Sequence, residues 1–181
     1  EEATPLQQLP DMSLLQQVEE STVAGEVKPA NQVNTDQGAE SPEATVTAWW
    51  AWLWQQIEAK NLVVNRSGSQ AYIVEHDGKR CLAIVSPKTF ADFAVAVGNY
   101  PASEGPLNRE AMVAAAGPVQ SAIHKMHVNI PFGGKQIHYR KPKSAQSAKA
   151  RLSLYFFELT KIEHTALQDF LDKCEGTDLL I

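Results

Sequence analysis

All fourteen aromatic residues of the chain lie beyond residue 48, and this confines any sizeable core to the later three quarters of the sequence. Residues 1–44 are rich in Gln, Glu, Pro, Ser and Thr, with nine acids and one base (Lys28), a net charge of -8. Ordering such a segment costs about 1–2 kcal/mol per residue, and it has too little apolar surface to offset that cost. Leu14, Leu15 and Val18 allow a short helix with Glu19 and Glu20, marginal by itself. The expected organisation is therefore a flexible acidic N-terminal segment over 1–44 and one domain over 45–181.

Composition removes several classes. With 44% hydrophobic and 20% charged residues, the chain is not collagen-like, low-complexity or a disulfide scaffold. The longest apolar run, Ala48 to Trp54, has seven residues, against roughly 20 for a bilayer span, so no membrane partner is expected. Glu1, Glu2 and Ala3 do not resemble the start of a secretory signal, and the absent initial Met suggests a piece of a longer protein. Cys81 and Cys174 form no CxxC pair, which fits free thiols in a cytoplasmic setting.

Charge then singles out one stretch. Residues 45–117 are balanced and 162–181 carry -4, whereas 118–161 hold eight bases (Lys125, Lys135, Arg140, Lys141, Lys143, Lys149, Arg151, Lys161) and only Glu158 against them, net +7. A basic block inside an acidic protein is the footprint of a surface that meets phosphate. The plainer reading is a solvated face on which Lys serves solubility.

Ser41-Pro42-Glu43 opens the domain, and Thr45 to Lys60 has helical periodicity with Val46, Trp50, Leu53 and Ile57 on one stripe. Trp49 and Trp54 flank the stripe. Trp52 falls about 130° from its centre, which marks it as a partner contact unless a later element of the domain covers it. A short strand is expected at Leu62 to Val64. Ala71 to Glu75 and Cys81 to Val85 should pair through a type I′ turn at Asp77-Gly78. Ser86 as N-cap and Pro87 at the first helical position then open a helix carrying Phe90, Phe93, Ala94 and Val97 inward, ended by Gly98.

Asn108 is a natural N-cap for a helix Arg109 to Ala116 with Met112, Val113 and Ala116 inward. Gly117-Pro118 predicts a sharp break and a second helix, Pro118 to Met126, with Val119, Ala122, Ile123 and Met126 inward. A second hairpin comes next, around Gly133-Gly134. A two-residue loop pairs Val128 with Tyr139, Ile130 with Ile137 and Phe132 with Lys135 on an apolar face. It leaves His127, Asn129, His138 and Arg140 on an outer, basic face. Arg151 to Leu159 reads as a strand and His164 to Cys174 as a closing helix. Two helices, a sharp turn and a hairpin are the element order of a winged helix, in which the second helix enters a DNA groove and the hairpin lies along the backbone. The expected fold is α+β, winged-helix-like, with two β-hairpins.

The string Trp50-Ala51-Trp52-Leu53-Trp54-Gln55-Gln56-Ile57-Glu58-Ala59-Lys60-Asn61-Leu62-Val63-Val64-Asn65, the segment Leu82-Ala83-Ile84-Val85-Ser86-Pro87 and Phe90 after it resemble the C-terminal domain of TraI-type conjugative relaxases of bacterial integrative elements, the conjugal transfer nickase/helicase proteins. Val119-Gln120, Lys125, His127 and Tyr139-Arg140 fit the same pattern, and the match spans roughly 45–160. The chain departs from it at Lys79-Arg80 and in the long loop through Gly105. The resemblance implies a winged-helix-like fold, a role in DNA transfer, and as partners DNA and other conjugative transfer proteins or the rest of the relaxase.

Catalytic readings find little footing. There is no GxxxxGK[ST] loop for nucleotide phosphates, so this piece is not a helicase motor. His76-Asp77 spells the dipeptide of HD-type metal phosphohydrolases, but on a tight turn without the helical His and Asp partners such a site needs. His124, His127 and His138 with Cys174 match no familiar zinc spacing. No Ser or Cys stands in a nucleophile elbow. The expectation is a non-enzymatic domain without cofactor or metal. Its nucleic-acid surface is expected from Lys125, His127, Asn129, Lys135, His138, Arg140, Lys141, Lys143, Lys149 and Arg151. The alternative is a protein-interaction domain working through Trp52 and the acidic tail.

Overall fold

The computed structural model describes residues 40–181. The acidic segment expected over 1–44 lies, apart from its last five residues, outside the described residues.

Helix α1, Pro42–Glu58, starts a turn earlier than its periodicity suggests, because Ser41 caps it: the Ser41 hydroxyl accepts from the Ala44 N–H at 3.2 Å, and Pro42 takes the first helical position. Val46, Trp49, Trp50, Leu53 and Ile57 are its buried side chains. Strands β1 (Ala71–His76) and β2 (Lys79–Val85) form the expected hairpin, with Asp77 and Gly78 at φ 51° and 74° as a type I′ turn requires. Of the strand expected at Leu62 to Val64 there is one bridge, Val64 with Ala71. Helix α2, Lys88–Ala96, buries Phe90, Phe93 and Ala94 but leaves Val97 exposed. Ser86 does not cap it; its hydroxyl accepts from the Gln120 amide at 2.9 Å.

Helix α3, Arg109–Met126, corrects the expected break. Asn108 caps it as expected, accepting from the Ala111 N–H at 2.8 Å. The helix runs unbroken through Gly117 and Pro118. Pro118 deprives the Ala114 carbonyl of its partner, but both residues face solvent, where water supplies the missing bond, and Gly117 has no Cβ to crowd the ring. Ala115, Ala116, Val119, Ala122 and Ile123 face the core, whereas Val113, expected inward, is exposed.

The remaining elements are β3 (His138–Arg140), β4 (Leu152–Glu158), a 3-10 turn (Leu159–Lys161) and α4 (Thr165–Asp172), capped by His164, whose Nδ1 accepts from the Leu167 N–H at 3.2 Å. The strands form one antiparallel sheet in the order β1-β2-β4-β3. Here the second hairpin departs from expectation. Gly133 and Gly134, at φ 56° and 75°, make the turn, and Phe132 and Lys135 exchange backbone bonds at 2.7 and 2.9 Å. Beyond the tip the ladder ends, because β4 offers a longer edge: Ile130 N–H donates to the Phe156 carbonyl at 2.8 Å, and β3 pairs with β4 rather than with Val128 to Ile130.

Successive strand residues face opposite ways, so the register sorts the core into two layers. Ile73, Leu82, Ile84, Tyr155 and Phe157 lie on the face that packs with Trp49, Trp50, Phe90 and Phe93 from the helices. Trp50 meets Phe157 edge-on at 5.0 Å, and Phe90 meets Tyr155 at 4.9 Å. The indole N–H groups of Trp49 and Trp50 are buried without partners. An unmade bond costs about 1–3 kcal/mol, whereas each ring buries about 150–250 Å² worth about 4–6 kcal/mol, so burial wins. The opposite face, with Tyr72, Val74, Cys81, Ala83, Leu154 and Phe156, has thinner cover from Ile130, Leu179 and Leu180. Among the described residues no helix is long and apolar enough to cross a membrane.

Candidate nucleic-acid interface

Edge strand β3 and the Gly133-Gly134 turn carry the centre of the basic block to the open side of the thin face. Because His138 pairs with Leu154 and Arg140 with Leu152, His138 and Arg140 share the face of Phe156. His138 stacks on Phe156 with ring centroids 4.0 Å apart and planes 13° apart, and its Nε2 bonds the Ile130 carbonyl at 2.7 Å. Arg140 places its guanidinium 5.6 Å from the Phe156 ring centroid. From β1, His76 closes the group, 5.0 Å from His138 and 5.4 Å from Phe156 between ring centroids. Phe132 leans over it from the turn, 5.6 Å from His138. His76, Phe132, His138 and Arg140, with the residues Ile137, Tyr139 and Ile181, line a cleft of about 280 Å³.

Several expected surface residues belong elsewhere. His138 and Asn129, placed outward by the simple hairpin register, are 5% and 7% exposed; Asn129 donates its amide to Gln136 at 2.6 Å. Tyr139, expected inward, is exposed instead. A strand shifted by one residue exchanges its faces, and pairing with β4 rather than Val128 to Ile130 makes that exchange at His138 and Tyr139. Lys125 and His127 are exposed at the C-terminal end of α3, where His127 takes a left-handed backbone, φ 53°. Lys135 projects from the turn, backbone-paired to Phe132, which lines the cleft. Lys141 exchanges backbone bonds with Ile181 at 3.1 and 2.8 Å, and Lys143 N–H donates to the Leu179 carbonyl at 2.7 Å, so both follow Arg140 along the same edge. Lys149 and Arg151 are exposed at the far end of the loop that leads into β4. The structure thus places Arg140 on β3, Lys135 on the turn before it and Lys141 and Lys143 on the segment after it, whereas Lys125 and His127 lie at the end of α3.

Trp52 is half-buried, stacked on Trp49 at 5.6 Å and meeting Phe93 of α2 edge-on at 5.6 Å. A later element of the same domain covers it. The acidic tail is likewise held: Thr177 N–H donates to the Ile73 carbonyl at 2.7 Å, and Leu179 and Leu180 pack on the thin face.

Burial sets the titration behaviour. Burial, with the Arg140 and His76 charges nearby, holds His138 below the usual histidine value against the pull of the Ile130 carbonyl and Asp77. Burial likewise lowers His124, whose Nε2 bonds the Tyr155 hydroxyl at 2.9 Å, and pushes Tyr155 up to about 12. Burial and Glu158 raise Cys81 to about 11. A thiol held that high is a poor nucleophile at neutral pH. His124 contacts Tyr155 and His138 contacts Phe156, neighbours that face opposite ways in β4, so these two histidines do not meet across the sheet. Cys174 lies by Arg80, whose guanidinium donates to the Cys174 carbonyl. Among the described residues no group of three His, Cys, Asp or Glu side chains is placed to hold a metal ion. Sequence reasoning missed His76 and Phe132 as cleft residues; the signal was an apolar residue beside the glycine turn.

No family model matches the chain, and no curated protein does. Among solved structures it aligns with the crystal structure of the C-terminal domain of Salmonella enterica protein STY4665, a DUF1528 domain, at 14% identity and a TM-score of 0.48, over 78% of this chain and 98% of that one.

Proposed function

We propose that the chain is a non-catalytic accessory DNA-binding domain of a bacterial conjugative relaxase, acting in the cytoplasm without cofactor or metal. The observation that carries this reading is the succession of Lys135, Arg140, Lys141 and Lys143 from the glycine turn through β3 and beyond it, inside a block of net +7. In winged-helix-like terms, the Gly133-Gly134 turn is the wing and α3, whose last turn carries Lys125, is the helix that precedes it. The resemblance of the Trp50 to Asn65 string and the Tyr139-Arg140 pair to relaxase C-terminal domains supports the relaxase assignment.

Counterion release supplies the test, since each phosphate contact adds about 0.7–0.9 to the slope of log affinity against log salt. Replacing Lys135 and Lys143 with Ala should flatten that slope by about one and a half units, equally on all DNA sequences. Lys60 and Lys88 serve as controls; Lys88 is already held by Asp92 at 2.8 Å. Equal losses from both pairs would refute the assignment. The other reading, a domain docking further DNA-transfer proteins, has less support, because α2 covers Trp52 and the tail packs on the sheet.

A further inference from the structure

The cleft at the open edge has a chemistry that phosphate contacts do not use. Phe132 is 62% exposed, unusual for a large ring with a folded core to hand. It stands at the rim, while His138, stacked on Phe156, forms a flat floor, and Arg140 and His76 wall it. Its volume of about 280 Å³ is near the lower end of small-ligand sites, about 300–1,000 Å³, which suits one flat ring system. Arg140 in the wall and Lys135, exposed on the turn that carries Phe132, provide cations for the phosphates that flank an inserted base. Asp77, 86% exposed, lies 3.4 Å from His76 and brings one negative charge to that wall.

Building on the DNA-binding reading, we infer that the cleft takes one unpaired base of single-stranded DNA, stacked against Phe132, while Lys135 and Arg140 hold its phosphates. A duplex keeps its base faces stacked on one another and has none to offer, so the exposed Phe132 ring favours single strands. Aromatic stacking of this kind is sequence-tolerant, since every base has a flat face.

The test is anisotropy with the full chain and three fluorescent probes of equal length, about 12 nucleotides as suits single-strand sites: oligo-dT, the same backbone with abasic sugars, and a duplex. Oligo-dT should bind about ten-fold more tightly than the abasic strand or the duplex. Phe132→Ala should remove most of that margin and leave abasic binding and the salt slope unchanged, whereas Tyr139→Ala, whose ring leaves the strand on the other face, should keep the margin. Lys135→Ala should instead weaken all three probes. Abasic and dT strands bound equally by the wild-type chain would overturn the base-stacking inference and leave the phosphate reading standing, without recourse to any variant. So would Phe132→Ala keeping the full margin. Failure of all probes to bind at about 50 mM salt, where phosphate contacts are strong, would overturn both.

Discussion

The two faces of the sheet differ in what covers them. One lies under helices bearing Trp49, Trp50, Phe90 and Phe93, all essentially inaccessible; the other under Ile130 and the short Leu179-Leu180 segment, with a cleft left at its β3 end. The first face has many apolar contacts per residue and sets stability. The second mixes Phe156 with His76, His138 and Arg140, and so combines an apolar floor with polar and cationic walls. A single strand, β4, serves both, because Tyr155 and Phe157 point one way and Leu154 and Phe156 the other.

If the helix-covered face dominates stability, Trp50→Ala should cost about 3–5 kcal/mol in urea unfolding, the range for large core truncations. Trp52→Ala, with its ring partly in solvent, should cost about 1–2 kcal/mol, since less area returns to water. Equal losses would break the distinction between Trp50 as core and Trp52 as its outer layer. On the thin face Leu180→Ala should cost about 1 kcal/mol, as partial exposure halves the transfer gain. A loss as large as that of Trp50 would show the C-terminal segment to be part of the main core.

A smaller effect depends on pH. His124 on one face and His138 on the other are both held below the ordinary histidine value by burial. The unfolded chain therefore binds more protons below about pH 6.5, and stability, complete above that pH, should fall as pH drops toward the lowered folded values. The slope is bounded at about 1.4 kcal/mol per pH unit for each histidine. His124→Gln and His138→Gln should each flatten the profile between about pH 7.5 and 5.5. A wild-type profile flat across that window would rule out the buried neutral state on both faces.

The sequence announced those elements whose signals are local. Ser41-Pro42, Asp77-Gly78, Asn108 and Gly133-Gly134 each specify a cap or a turn over a few residues, and each is found. It misled where a distant partner decides. Gly117-Pro118 reads as a break, but packing of Ala116, Val119 and Ile123 against the core holds one helix together, and solvent tolerates the lost bond at Ala114. The second hairpin looked self-sufficient from its loop, yet the edge of β4, beyond the loop from Lys141 to Ala150, captured His138 to Arg140. That exchange put a histidine inside and a tyrosine outside, which hydrophobic patterning assigns the other way; His138 is accommodated because one nitrogen meets the Ile130 carbonyl and its ring lies flat on Phe156. Of the candidate site, the basic residues could be read directly, whereas the cleft between them depends on His76 from β1, far away in the chain.

Amide chemical-shift mapping of the isotope-labelled chain, titrated with a single-stranded oligonucleotide at low salt, tests most directly the claim that the thin face binds and the helix-covered face supports. The account predicts shifts concentrated at Phe132 to Lys135 and Tyr139 to Lys143, with the amides of Trp49 to Ile57 unmoved. Shifts centred on Trp52, Gln56 and Asp92, or spread evenly over both faces, would contradict it.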